Sequence, residues 1–251
     1  MTAFSYQLYS SRNFEPLGET LSMLAGLGYA QVEGYGALLA DPAAIDALEA
    51  GLRATGLAMP TSHVGLDMIE ADPAAVGAIA GRLGMKTAIV PFIMPDARPT
   101  DAAGWAAYGA GLEKAAAALK GHGLGLGYHN HDFEYAALAD GSLPIDHILG
   151  NAPSVAYEFD VAWAVRAGVD PMDSIRSYGP RILSAHLKDI APAGENTDED
   201  GWADVGHGTM DWPTLFGALK DAGTTYFVME HDNPSSHLRF ASRALAAAQS
   251  F

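Results

Sequence analysis

A chain of 251 residues, 49% of them hydrophobic, suffices for one large domain or two small ones around a substantial core. It has no cysteine, which removes disulfides, thiolate catalysis and zinc–cysteine sites together, so a metal here must use His, Asp, Glu and water. Thirty acids against fourteen bases give a formal net charge of −16, which repels phosphate backbones and argues against nucleic acid as a partner.

The opening MTAFSYQLYS has no basic segment leading into an apolar stretch, and no apolar run nears the roughly 18 residues that cross a bilayer. The expectation is a soluble, cytoplasmic protein with no membrane partner. In chain order, strand-like runs at 4–10, 31–35, 58–63, 87–93, 123–129, 155–160, 182–188 and 226–230 alternate with Ala- and Leu-rich helical segments, eight of each. Asp41-Pro42, Asp72-Pro73, Asp101 and Asp170-Pro171 are helix starts, with an acid placed to cap the first turn. Gly51, Gly56, Gly81, Gly84, Gly121, Gly150 and Gly223 read as helix stops that take a left-handed conformation. The Ala-rich stretches 102–107, 115–118 and 244–248 read as plain helix without chemistry. Eight βα units in a chain of this length predict an α/β fold, a single (β/α)8 TIM barrel over residues 1–251, ahead of a doubly wound open sheet. The acidic, glycine-rich segment 189–212 interrupts the pattern after the seventh strand, where long loops cover or line barrel active sites.

Barrel active sites gather at the C-terminal ends of the strands, and here those ends are ionisable. Glu33 closes the second strand, His63 the third, His129 the fifth, Asp160 the sixth, His186 the seventh and Glu230 the eighth. Of nine histidines, His63, His129, His131, His186, His207 and His231 fall at strand ends or just beyond. Alternation along a strand turns Ser184, His186 and Lys188 inward, with Ala156, Glu158 and Asp160, and with Gly125, Gly127, His129 and His131. Glu230 is read as inward because an outward carboxylate would be buried beneath helices unpaired. Two carboxylates and one or two imidazoles at a barrel mouth suit a divalent ion, and mixed N/O ligation favours Mn²⁺, Co²⁺ or Zn²⁺ over Mg²⁺. The alternative is a metal-free network of hydrogen-bonded polar groups.

A set of segments now matches a family. YQLYSSR, VEGYG, SHVGLD, YHNHDFEY, EFDVAWAVRAGVDP, AHLKD, VGHGTMDWPTLF and VMEHD fall in order along nearly the whole chain. The chain resembles the xylose-isomerase-like TIM barrels, in particular the sugar (phosphate) isomerase/epimerase group that includes inosose dehydratase. The resemblance implies a divalent metal, with Mn²⁺ first, held at the ends of strands five to eight. By position these ligands are His129 or else His131 in YHNH, then Asp160, His186 and Glu230. Sugar epimerases of the group typically carry glutamate at the strand-five position, and there it exchanges protons together with the strand-eight glutamate. This chain has an imidazole there, and its next glutamate is Glu134.

A metal chelated by a ketone oxygen and a neighbouring hydroxyl acidifies the adjacent C–H and stabilises an enediolate. Glu230 is the first candidate as ligand and base; Glu134, His131 and Lys188 are candidates to protonate a carbon or a leaving oxygen. Glu33, His63 and His131 would bind substrate hydroxyls or simply close the polar top of the barrel. Trp163 would stack on a sugar face or pack in the core. Lys188 is a site residue or the partner of an interior acid such as Glu158. His207 is read as an exposed loop residue, and His122, His147 and His237 as structural. The spacing Gly123, Gly125, Gly127 lies within a strand and does not read as a dinucleotide loop. Phosphate lacks support beside Glu195, Asp198, Glu199, Asp200 and Asp204, so the expected partner is a small, neutral or weakly charged polyol or keto-sugar. The expected function is an isomerase or epimerase of a keto-sugar or polyol ketone. The alternatives are a dehydratase or β-eliminating lyase on a keto-inositol or 3-keto-glycoside, and a non-catalytic sugar-binding barrel. A hydrolytic nuclease of the same superfamily would need a basic surface. A homo-oligomer is allowed.

Overall fold

The computed structural model describes residues 2–14 and 16–251. Strands β1 (Phe4–Gln7), β2 (Gln31–Gly34), β3 (Ala58–His63), β4 (Thr87–Val90), β5 (Gly125–His129), β6 (Ala156–Asp160), β7 (Ile182–Leu187) and β10 (Tyr226–Met229) close into a parallel barrel. Its order is β1-β10-β7-β6-β5-β4-β3-β2. This is the (β/α)8 barrel expected from the alternation. The other two strands, β8 (Asp189–Ile190) and β9 (Trp202–Ala203), form an antiparallel ribbon within the long acidic loop.

Most strands are shorter than the sequence pattern suggested, for local reasons. After β1 the chain turns into a 3-10 turn at Leu8–Ser11, stabilised by the Tyr9 N–H donating to Gln7 Oε1 at 3.0 Å. Strand β4 stops at Val90 because Pro91 has no N–H for the ladder.

Ten α-helices lie among the described residues, two more than expected. They are α1 (Leu17–Leu27), α2 (Pro42–Thr55), α3 (Leu66–Ala71), α4 (Pro73–Leu83), α5 (Ala102–Lys120), α6 (Pro144–Gly150), α7 (Val161–Arg166), α8 (Pro171–Tyr178), α9 (Trp212–Asp221) and α10 (His237–Ala248). Pro73 divides one connection into α3 and α4, because proline cannot continue a helix from the preceding turn, while α7 ends at the left-handed Gly168, φ 83°, and Pro171 opens α8. The four expected acids do cap their helices: Asp41, Asp72, Asp101 and Asp170 accept from Ala44, Ala75, Gly104 and Met172 at 2.8–2.9 Å. Each such cap contributes about 1 kcal/mol. The glycine stops divide. Gly56 and Gly84 end α2 and α4 with φ of 73° and 78°, where a Cβ would be strained. Gly51 and Gly81 instead lie inside those helices, and Gly121 is right-handed. No helix of the described residues is long and apolar enough to cross a membrane.

The main core is the layer between barrel and helices, built from outward side chains such as Tyr6, Val32, Tyr128, Tyr157, Phe159, Leu187 and Met229. The inside of the barrel is polar. Pairing of Val228 with His186 and of Met229 with Leu187 fixes the parity of β10 and brings Glu230 inward with Val228.

Candidate metal centre and its cavity

The ends of β5 and β6 are fastened by one buried amide. Asn130 Oδ1 accepts from the Asp160 N–H at 2.9 Å and from the Tyr157 hydroxyl at 2.6 Å, and its Nδ2 donates to the Asp160 carbonyl at 3.1 Å. Asp160 Oδ1 then caps α7 through the Trp163 N–H, leaving buried Oδ2 with no hydrogen-bond partner.

Oδ2 belongs to a cluster. His129, Asp160, His186 and Glu230 each offer a ligand atom, all within 4.8 Å of one another. These are the four residues that the family resemblance implied, with His129 and not His131 at the end of β5. A second group beneath shares two of them: His63, His129, Glu158 and His186. His186 joins the levels, its Nδ1 lying 2.8 Å from Glu230 Oε2 and its Nε2 2.7 Å from Glu33 Oε1. A carboxylate on the far nitrogen is how a metal-binding imidazole is oriented and made more basic. Gln7 in turn donates to Glu33 Oε1 at 2.8 Å.

Charge in this space is unbalanced. Glu33, Glu158 and Asp160 are fully buried and Glu230 nearly so, and the one lysine among them, Lys188, is also fully buried. Lys188 Nζ lies 2.6 Å from Asp232, 3.2 Å from Glu230 and 3.7 Å from Asp160, so the interior acids it pairs with are these and not Glu158, the acid given as its alternative partner. Burial opposes the ammonium, but Asp232, Glu230 and Asp160 hold its pKa above the usual value. Burial would also raise Glu230, yet Lys188 and His186 keep its carboxyl well below the usual range. Asp160 is pushed up to about 7 by burial, which Lys188 only partly offsets. Burial opposes charge on His186 as well, but Glu158 and Glu230 keep its imidazolium favoured. His129, buried and beside His186, falls to about 4 and stays neutral. His131 is also held neutral, first by burial and then by His129 and Lys188.

The donor set fits a divalent cation. Glu33 Oε2, Glu158 Oε2, Asp160 Oδ2 and His129 Nδ1 are all buried without a hydrogen-bond partner, which is costly for groups of this kind. Imidazole and carboxylate are the donors a 2+ ion of the Mn, Co or Zn type takes when thiolates are absent.

Above the cluster opens a cavity of about 520 Å³, with His63, His129 and Glu230 at its floor and His131, Trp163 and Asp232 in its wall. Three of the residues expected to meet substrate or move protons do not reach it. Glu33 lies under the floor, bonded to Gln7 and His186, so it orients the histidine instead of meeting substrate hydroxyls. Glu134 is buried behind the strand end, where it accepts from the Tyr128 hydroxyl at 2.6 Å and the His131 N–H at 2.8 Å. It was expected to move protons; its contacts make it the clamp of the turn that presents His131. Lys188 is not in the cavity lining either, and reaches the site only through Glu230, Asp160 and Asp232. His131 sits above His129 with ring centroids 5.0 Å apart. Trp163 packs edge to face on Trp202 of the long loop. His207 is exposed, as expected.

Sequence reading missed Glu158, Asp232 and Asn130. Alternation had already turned Glu158 inward, and Asp232 lies two residues beyond Glu230, so both were within reach of the same rule. Asn130 carries no such signal, because its importance lies in bonds to a neighbouring strand.

With the barrel and its polar mouth described, the chain takes its place in a family: it belongs to the xylose isomerase-like TIM barrels, whose model matches residues 21–250. Similar solved structures include a sugar phosphate isomerase/epimerase from Parabacteroides distasonis ATCC 8503, with a TM-score of 0.81 at 19% identity over 98% of this chain and 93% of that one. The probable 3-DHS dehydratase involved in petrobactin synthesis from Bacillus anthracis is similar with a TM-score of 0.74, at 13% identity over 99% of each chain. The 3-keto-D-glucoside 4-epimerase from E. coli, in its apo form, aligns over 100% of each chain at 19% identity, with a TM-score of 0.73. Identities this low carry the fold alone. No curated protein matches the sequence.

Proposed function

We propose that this protein is a divalent-metal-dependent isomerase or epimerase of a keto-sugar or polyol ketone, working through removal of the proton next to the carbonyl. The observation that carries the reading is the convergence of His129, Asp160, His186 and Glu230 beneath a sugar-sized cavity that His129 and Glu230 line, with Asp160 Oδ2 and His129 Nδ1 buried and left without a hydrogen-bond partner. A Mn²⁺, Co²⁺, Zn²⁺ or Mg²⁺ ion held by these four would act as Lewis acid on the carbonyl and its neighbouring hydroxyl. Glu230, ionised beside Lys188 and His186, takes the proton from carbon at its carboxylate. Lys188 stabilises that carboxylate in its ionised form and restrains it between Asp160 and Asp232. His131, neutral and lining the wall, receives or returns a proton on another side of the ring. Trp163 and Trp202 close the space over Lys188, whose Nζ lies 5.1 and 4.4 Å from their ring centroids, and keep bulk water from it.

One observation favours a second reading, β-elimination from a keto-inositol or 3-keto-glycoside. The end of β5 carries an imidazole where two-sided proton exchange would use a second carboxylate. His63, also on the cavity floor, is favoured as imidazolium: burial opposes its charge, but the bond to Glu158 at 2.8 Å and the charge of Glu33 outweigh it. Such a group suits donation to a departing oxygen.

The test is metal analysis of the purified protein followed by NMR in D₂O with Mn²⁺ and a panel of ketoses, inososes and 3-keto-glycosides. Exchange of the α-proton is expected, with loss of a β-substituent marking a lyase. His186→Ala should lower metal affinity by about 10-fold or more, and Glu230→Gln should abolish exchange. Normal metal binding in both variants, together with no exchange from any panel member, would reject the proposal and favour a non-catalytic sugar-binding barrel.

A further inference from the structure

Enolisation leaves the aromatic rings above the centre without a task. Tyr9 follows β1 and Tyr35 follows β2, and the two meet edge to face at 5.5 Å. Phe92 follows β4 and Phe133 follows β5, edge to face at 5.8 Å, with His131 between Phe92 and Trp163. In the closed barrel order, β1 stands four places from β5, so Tyr9 and Phe133 follow opposite strands, whereas Tyr35 and Phe92 follow β2 and β4 on either side of β3. All four rings line the one cavity.

These rings are held open to solvent. Phe92 is 41% exposed and Tyr9 37%, and Met94, in the same loop as Phe92, is 63% exposed. Among the described residues only one other large apolar side chain, Leu238, is comparably open. Apolar surface gathered at the rim of a cavity marks a binding site for an apolar group. A lone sugar ring needs one aromatic face and many polar partners, whereas this cavity has its polar groups at the floor and rings above. A phosphate fits worse still. Arg98 is the one arginine or lysine of the lining, but its guanidinium lies flat over Phe133 at 3.6 Å and its Nε donates to the Ile93 carbonyl at 3.0 Å, while the His63 imidazole on the floor is already paired with Glu158. Asp132 and Asp232 line the same space and repel anions.

We infer that the substrate is a keto-sugar carrying a flat apolar substituent, an aryl glycoside, with its sugar ring over the His129 and Glu230 floor and its aryl group between the Tyr9/Tyr35 and Phe92/Phe133 walls. This rests on the enolisation reading and adds the class of substrate to it.

The test titrates the Mn²⁺-loaded protein by calorimetry with phenyl β-D-glucoside, methyl β-D-glucoside and glucose 6-phosphate. In parallel, α-proton exchange of phenyl and methyl 3-keto-β-D-glucosides is followed by NMR in D₂O. The phenyl glucoside should bind about tenfold tighter than the methyl one, the effect of desolvating roughly one aromatic ring, and the phosphate weakest. Phe92→Ala and Tyr9→Ala, both at exposed positions, should each cut the phenyl-to-methyl ratio about threefold to tenfold. Equal binding of the two glucosides, tighter binding of the phosphate, or a ratio unmoved by both substitutions overturns the inference. Exchange from both keto-glucosides without a phenyl preference removes the aryl pocket and leaves enolisation standing. Phenyl preference without exchange from either removes enolisation and leaves the pocket.

Discussion

Glu134 illustrates how a side chain two or three residues from a reactive one can serve it without touching the ligand. Fully buried, it accepts from the His131 N–H and the Tyr128 hydroxyl, and burial lifts its carboxyl to about 7 against those bonds. A carboxyl whose pKa is raised on folding stabilises the fold below its unfolded value near 4.5, and that contribution is lost as pH rises through about 7. The wild type should therefore lose on the order of 3 kcal/mol relative to Glu134→Gln between about pH 4.5 and 7.5, from the pKa difference alone. The glutamine can still accept from His131 and donate to Tyr128. Chemical denaturation of both proteins across that range measures the difference, and parallel curves would refute the assignment. The neighbouring histidines separate by the same kind of contact. His129 faces Glu158 and His186 in the barrel, whereas His131 faces Phe92, Phe133 and Trp163 in the cavity wall.

At the scale of elements, the long loop between β7 and α9 is tied down by charge. Asp189 accepts from the N–H groups of Ile190, Gly206, Gly208 and Met210, which gathers the loop's ends. Arg239 of α10 clamps its middle, with guanidinium nitrogens 2.7 Å from Glu199 and 3.1 Å from Asp204. Burial would raise Glu199, but Arg239 and Ser235 bring its carboxyl down to about 2. Since that pKa is depressed on folding, the clamp is present above about pH 4.5 and fails as pH falls toward 2. Arg239→Ala leaves two mostly buried carboxylates with less compensation. A loss of about 1–3 kcal/mol is expected, less than for a fully buried pair because Arg239 is a third exposed. Hydrogen exchange should rise first in the loop holding Trp202, which covers Lys188. Exchange that rises uniformly across the barrel would show that the clamp holds the whole fold instead.

For the molecule as a whole, the polar barrel interior sets the balance. Most barrels fill their interior with branched apolar side chains; here Ser5, Gln7, Glu33, Thr61, Glu158 and Ser184 occupy it and are buried. Close approach is built in at Gly127, where a Cβ would stand 2.5 Å from Ile89 Cδ1. Four buried carboxylates, Glu33, Glu158, Asp160 and Glu230, are set against Lys188 and the favoured imidazoliums of His186 and His63, and the cation of the proposed function would add stability to the folded state. An ion held at a hundred times its dissociation constant adds about 2.7 kcal/mol, equivalent to roughly 5–10 °C in a domain of this size. Chelation should lower the melting temperature by that amount and re-addition of Mn²⁺ should restore it. An unchanged melting curve would mean that protonation alone balances the carboxylates.

The barrel was legible because each βα unit repeats one local pattern: apolar runs ended by turn residues, and acids placed to cap the helices that follow. Alternation within strands is just as local, and it sufficed to bring Asp160, His186 and Glu230 to one mouth. It did not reveal the two extra helices, α3 and α7, because each is only six residues long and directly precedes a helix start that was read from its acid and proline. The functions of Glu33 and Glu134 were also beyond it, because two carboxylates near a strand end look alike until one is seen under the floor and the other behind the strand. The sequence by itself determined which side chains point into the barrel and how many βα units close it, as both follow from spacing along one segment. Only the tertiary structure decided that His129 and not His131 joins Asp160, that Lys188 pairs with Asp232, and that Tyr9, Tyr35, Phe92 and Phe133 line one cavity. Those are relations between strands distant in the chain, set by the order and register of barrel closure.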